Sequence, residues 1–175
     1  FDKMSGGAFT NCVLKGYTLK AGASDTILGL WVAALTGPCE FVGCSTAADC
    51  TLSQNGSHDC SLGGFAGKIE IAGSDGVLAA FIDCTNNAAI AASDNYRTAS
   101  GAGGFVGYVT GSASANQPEI RFVRSVNNGA ITGKDRYSVL GGFVGRFNAS
   151  NSNKSSTLAD FSDCVNNASI SHTGN

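Results

Sequence analysis

The chain has 175 residues, 43% of them hydrophobic and only 14% charged, with a formal net charge of −2. That length fits one domain, the hydrophobic share excludes a disordered chain, and the lack of any basic run leaves nucleic acid or an anionic membrane surface nothing to grip. Glycine, at 24 residues, follows no strict three-residue period, which excludes collagen, and no eighteen-residue apolar stretch is present to span a bilayer.

The first recognisable element is Gly6-Gly7-Ala8-Phe9-Thr10-Asn11-Cys12. Its Phe-x-x-Cys spacing recurs at Phe41/Cys44, Phe81/Cys84, Phe122/Ser125 and Phe161/Cys164. The most apolar run, Ile27 to Leu35, contains Gly29-Leu30-Trp31-Val32. This is a degenerate form of a phrase that becomes regular later, as Gly63-Gly64-Phe65-Ala66-Gly67, Gly103-Gly104-Phe105-Val106-Gly107 and Gly141-Gly142-Phe143-Val144-Gly145. Each regular phrase is followed by a second one ending in Asn86-Asn87, Asn127-Asn128 or Asn166-Asn167. A fixed period of about forty residues with fixed internal phrasing means stacked repeats. The whole chain, 1–175, reads as one solenoid segment. Residues 1–61 form degenerate first coils with a cysteine-rich insertion, and residues 62–175 form three regular repeats.

Within the clearest repeat, three short strands are predicted: 104–109, 119–124 and 130–132, the last entered through an Asn127-Asn128-Gly129 turn. Alternation of period two, with Gly and Asn between the runs, is the signal used. Three strands per coil is the plan of an all-β, right-handed parallel β-helix with coils about 4.8 Å apart. Eight of the ten Phe residues fall in the repeat phrases. A residue held to one register faces inward, so Phe65, Phe105, Phe143, Phe81, Phe122 and Phe161 are the expected core ladder. Asn86, Asn127 and Asn166 are expected to ladder their amides.

Gly-Gly-Phe-Val-Gly, an apolar strand and then Cys-x-Asn-Asn-x-x-Ile resembles the GLUG repeat, whose usual form is Gly-Leu-Val-Gly followed by Asn-Cys-x-Asn-x-Gly-x-Val. The resemblance covers roughly Leu62 to Ile170. Phe stands for Leu in the first phrase, and Ser125 stands for Cys in one repeat. The Gly6 to Cys12 phrase is also similar to the Gly-Gly-Ala and Phe-x-x-Asn repeats of bacterial polymorphic outer-membrane proteins. Both resemblances imply a β-helix at a cell surface, and neither implies an enzyme.

The candidate sites each have a plain structural reading. Cys39, Cys44, Cys50, His58, Asp59 and Cys60 form the densest chemical cluster, but no compact Cys-x-x-Cys pair marks a zinc site. Disulfides among Cys39, Cys44, Cys50 and Cys60 are expected instead, with no metal. Cys12, Cys44, Cys84 and Cys164 share one register and read as small core residues. Sequons at Asn55, Asn148, Asn153 and Asn167, two of them in an expected loop, favour a glycosylated chain at the cell surface or outside the cell. No His-Glu-x-x-His or Gly-x-Ser-x-Gly occurs, and His58 and His172 are the only histidines. Asp83, Asp163, Glu119, Arg121 and Arg124 lie near the second strands. A carboxylate pair two coils apart would sit about 10 Å apart. No cofactor is expected.

The leading expectation is a non-catalytic structural or adhesive module, part of a longer chain. Its open β edges would stack on neighbouring repeats or on copies of itself into rods or filaments, and glycans or matrix proteins are the candidate ligands. The alternative is a carbohydrate-active enzyme or glycan binder using the second-strand face. Ice binding would need a threonine ladder that Thr98, Thr110 and Thr132 do not form.

Overall fold

The computed structural model describes residues 1–22, 26–54, 59–72, 77–92, 101–113, 120–134, 139–151 and 158–173. Asn55, His58, Thr98, Glu119 and Asn153 lie outside the described residues. The described chain is all β and winds through five coils, and every strand pairs in parallel with its equivalent one coil away. The pattern is that of a parallel β-solenoid.

Five parallel sheets run along it. The long-strand sheet stacks Lys3–Met4, Val32–Leu35, Ala66–Ala72, Val106–Ala113 and Val144–Asn151. The phenylalanine sheet stacks Gly7–Thr10, Cys39–Val42, Ala79–Ile82, Ile120–Val123 and Ala159–Ser162. The asparagine sheet has two-residue strands, from Val13–Leu14 through Ser45–Thr46, Thr85–Asn86 and Val126–Asn127 to Val165–Asn166. The isoleucine sheet runs from Thr18–Ala21 through Thr51–Gln54, Ala89–Ala92 and Ile131–Gly133 to Ile170–His172. The glycine sheet has four strands, Thr26–Gly29, Cys60–Gly63, Gly101–Gly103 and Leu140–Gly141.

A regular coil therefore carries five strands where three were expected. The predicted strand 104–109 is broken by a corner at Gly104-Phe105, where the amides of Phe105 and Val106 both donate to the carbonyl of Phe143. One carbonyl serving two successive amides ends one strand and re-aims the next. The predicted Asn-Asn-Gly turn holds the two-residue strand Val126–Asn127, because its amides reach the neighbouring coil rather than closing on themselves.

The core is two columns of aromatic rings. Phe9, Phe41, Phe81, Phe122 and Phe161 are in one register. Their rings stack at centroid separations of 5.1, 5.3, 5.0 and 4.8 Å. Trp31, Phe65, Phe105 and Phe143 form the second column, at 5.8, 4.8 and 5.0 Å. Trp31 thus holds the Phe position of the degenerate phrase. The columns meet edge to face, as in Phe105 against Phe122 at 5.8 Å and 84°. That geometry sets the positive ring edge against the negative face.

Two glycines show why the Gly-Gly-Phe-x-Gly phrase accompanies the Asn phrase. A Cβ on Gly104 would strike the carbonyl oxygen of Gly142 and come within 2.5 Å of the Asn127 side chain. A Cβ on Gly107 would lie 2.5 Å from the amide nitrogen of Leu62, so the long-strand and glycine sheets touch through bare backbone there. The two phrases face each other across each coil and share one volume.

Candidate functional site

The residue two after each column phenylalanine forms the outer corner of its coil. Asn11, Asp83, Arg124 and Asp163 have φ of 52°, 53°, 46° and 55° there, and Gly43 has 61°. Asn, Asp and Gly tolerate this left-handed conformation well, whereas Arg does not. What Arg124 gains is a two-pronged ion pair. Its Nε donates to Asp83 Oδ1 and its Nη2 to Asp83 Oδ2, both at 2.7 Å. The guanidinium holds the Asp83 carboxyl below its ordinary range, chiefly by these hydrogen bonds. Asp83 also raises Arg124 above its usual value, with a smaller contribution from Asp163 on the far side. The two carboxylates considered as a catalytic pair therefore flank a cation, with charge alternating coil by coil. Both partners of the Asp83–Arg124 pair are about half exposed.

Behind the corner, the thiols of Cys44 and Cys84 donate to the carbonyls of Phe9 and Phe41 one coil away, at 3.4 and 3.2 Å. Ser125 fills the same place, and its hydroxyl donates to Phe81 O at 3.0 Å. A small side chain with one donor is what this register needs. Burial pushes the Cys84 thiol up to about 12 and raises Cys44 and Cys39 as well.

The disulfides expected among Cys39, Cys44, Cys50 and Cys60 are corrected: all seven cysteines are thiols. These four sit in separate registers. Cys39 lies opposite Gly7 and Ala79, and Cys60 lies opposite Thr26. Cys50 donates to Leu14 O at 3.3 Å. All four are buried, as small apolar filler. The stretch from Cys39 to Gln54 is built into the second coil as three strands rather than looped out.

Two amide ladders run beside the corner. The inner one begins at Thr46, whose hydroxyl donates to Asn86 Oδ1 at 2.6 Å. Asn86 Nδ2 then donates to Asn127 Oδ1, and Asn127 Nδ2 to Asn166 Oδ1, each at 2.8 Å. Thr46, Asn86 and Asn127 are fully buried. The outer ladder runs the opposite way. Asn167 Nδ2 donates to Asn128 Oδ1 at 3.0 Å, and Asn128 Nδ2 to Asn87 Oδ1 at 2.9 Å. Sequence reasoning identified the inner ladder and missed the outer one, whose signal was the second Asn of each pair.

Two sequon asparagines are described. Asn167 is the end rung of the outer ladder. Asn148 lies inside the strand Val144–Asn151 rather than in the expected loop, and its Nδ2 donates to the Tyr108 hydroxyl at 3.2 Å. Among the described residues no group of three or more His, Cys, Asp or Glu side chains could hold a metal ion. A groove of about 350 Å³ crosses the outward face of the phenylalanine sheet, lined by Pro38, Glu40, Val77, Ala80, Ile82 and Arg121 among others. Arg121 Nε has no hydrogen-bond partner there. No helix among the described residues is long and apolar enough to cross a membrane.

No family model, curated protein or solved structure matches this chain.

Proposed function

We propose that this protein is a non-catalytic structural or adhesive module of a secreted or cell-surface protein, a rigid solenoid that presents its outer faces and connecting segments. The observation that carries this reading is how the reactive residue types are used. Asp83 and Arg124 neutralise each other at a corner, the buried thiols back-bond to carbonyls, and the amides are spent on each other along the rod. Side chains committed to coil-to-coil contacts build length and stiffness. The GLUG-type resemblance of the repeat points the same way. The surface compartment rests on the sequons and on the GLUG-type resemblance, because the cysteines are thiols and lend it no support.

A second reading has one observation in its favour. The groove on the phenylalanine sheet offers Glu40 and Arg121 at one face, as a glycan-binding or carbohydrate-active site would. A glycan array and a reducing-end release assay on the purified chain separate the two. Silence in both, with adhesion to cells or matrix retained, supports the structural reading. Released product from any polysaccharide would overturn it.

A further inference from the structure

The exposed apolar side chains are gathered at the two ends of the rod. Phe1, Val13, Tyr17 and Ile27 belong to the first coil, and Phe147, Phe161, Val165 and Ile170 to the last. Phe122 is 0% exposed, whereas Phe161, the next ring of its column, is 50% exposed. Each end is a core cut across, with the edges of its sheets open.

The ladders state what the C-terminal end requires. Asn86 Nδ2 donates both to Ala88 O in its own coil and to Asn127 Oδ1 in the next. Asn166 Nδ2 makes the own-coil bond, to Ala168 O at 3.2 Å. Its other N–H faces the position that a sixth coil would fill, and it needs an acceptor there. The outer ladder has the opposite polarity, so Asn167 Oδ1 needs a donor. At the corner, the Asp83–Arg124–Asp163 alternation needs a cation next.

The first coil of a second copy does not meet these requirements. Stacked in register, it would set Phe9 on Phe161 and Lys15 beside Asn167, which are acceptable. It would also set Asn11, which is no cation, on Asp163 at the corner, and Leu14, which has no acceptor, on Asn166, since Leu14, Thr46, Asn86, Asn127 and Asn166 share one register. Lys3 would fall opposite Arg146, because Lys3, Ala34, Lys68, Tyr108 and Arg146 share another. An unmet buried N–H and two like charges face to face both oppose docking.

We infer that the C-terminal end is a docking edge for one coil of this same repeat type, with an oxygen acceptor at the inner ladder register, a donor at the outer one and a cation at the corner, and that the first coil of a second copy is not its partner. The inference rests on the structural-rod reading and names the partner that such a rod takes.

The test is sedimentation of the full chain and of its Lys3→Glu/Leu14→Asn variant, each checked for fold by circular dichroism. The unaltered chain is expected to remain monomeric. The variant, whose first coil now supplies the acceptor and removes the like-charge contact while leaving Asn11 at the corner, is expected to associate end to end at least tenfold more tightly, as rods in electron micrographs. Adding Asn166→Leu should abolish that gain. Three results would overturn the inference: unaltered chain stacking as tightly as the variant, a folded variant that stays monomeric, or assembly indifferent to Asn166→Leu.

If the variant does not fold, a chain lengthened after Asn175 by a second copy of its residues 93–134 decides the matter. Its melting temperature should exceed that of the unaltered chain by at least about 4 °C, a shift readable for a chain of this size. The same extension carrying Asn127→Leu in the added coil should lose most of the rise, and an equal rise from both extensions would refute the ladder requirement. Failure on these counts leaves the glycan and release assays on the single rod unaffected, so the two proposals fail separately.

Discussion

The second and third coils fill the same positions with different side chains. In the third, Gly64 abuts Asn86, and in the fourth Gly104 abuts Asn127. In the second coil Leu30 and Thr46 occupy those two positions, by the register of Gly29 with Gly63 and of Thr46 with Asn86. A larger residue on one side is matched by a smaller one on the other, as close packing demands. Thr46 still contributes an oxygen to the amide ladder, and Leu14 in the first coil contributes none. The repeat therefore tolerates change in residue identity where volume and hydrogen-bond polarity are conserved, and it loses the polar ladder only at its first coil. A second contrast runs along the rod. Interior coils bury their rings completely, while the last coil leaves Phe161 half in solvent.

The largest expected effect breaks that second contrast. Phe122→Ala should cost about 3–5 kcal/mol in denaturant unfolding, as for other buried aromatics. Phe161→Ala should cost roughly 1 kcal/mol, since half the ring is already hydrated. Equal losses would mean that the end coil is as well covered as the middle.

The next effect sharpens the ladder contrast. Asn127→Leu would leave Asn86 Nδ2 without its acceptor and Asn166 Oδ1 without its donor, in a site that Gly104 keeps narrow. About 2–4 kcal/mol is expected, from one to two unmet polar groups and overpacking. Thr46→Val removes the hydroxyl that donates to Asn86 Oδ1 and accepts from the Asn87 and Ala88 amides, but both amides keep a second acceptor, and about 1 kcal/mol is expected there. The same melts measure both.

Thiol reactivity separates ends from middle without any mutation. Cys12 and Cys164 are partly exposed, in the terminal coils, whereas Cys44 and Cys84 are buried. Alkylation followed by mass spectrometry should label the first pair on the order of a hundredfold faster than the second. Alkali should also weaken the fold through Cys84. Its folded pKa, raised from 9.0 to about 12 by burial, leaves it protonated where the unfolded thiol has ionised. The associated stability is intact below pH 9.0 and is lost as pH rises from there towards about 12. Cys84→Ser should remove that part of the alkaline loss.

Acid acts on the corner in the opposite sense. The Arg124 partnership lowers the folded pKa of Asp83 below the ordinary carboxylate range, so its contribution is present above that range and fades as pH falls below it. Arg124→Gln should flatten the acid limb of a stability–pH profile. The smallest effect is Cys84→Ser at neutral pH, within about 1 kcal/mol, because Ser125 already serves in that register with the same carbonyl contact.

The sequence by itself determined the period, the register of the two phrases and the inward residues. These are local properties. Alternation of period two decides which side chains face in, and Asn, Asp and Gly decide where the chain can turn. Trp31 could be assigned to a phenylalanine position from its neighbours alone. What only the tertiary structure decided concerns residues about forty apart, brought together when one coil lands on the next. The division of the rings into two columns, the opposed polarity of the inner and outer amide ladders and the splitting of three expected strands into five belong here. So do the clasp of Arg124 on Asp83 and the survival of the cysteines as thiols. Each depends on the spacing and side-chain rotamers of stacked coils, and a single coil read alone carries no record of which way its amides will point.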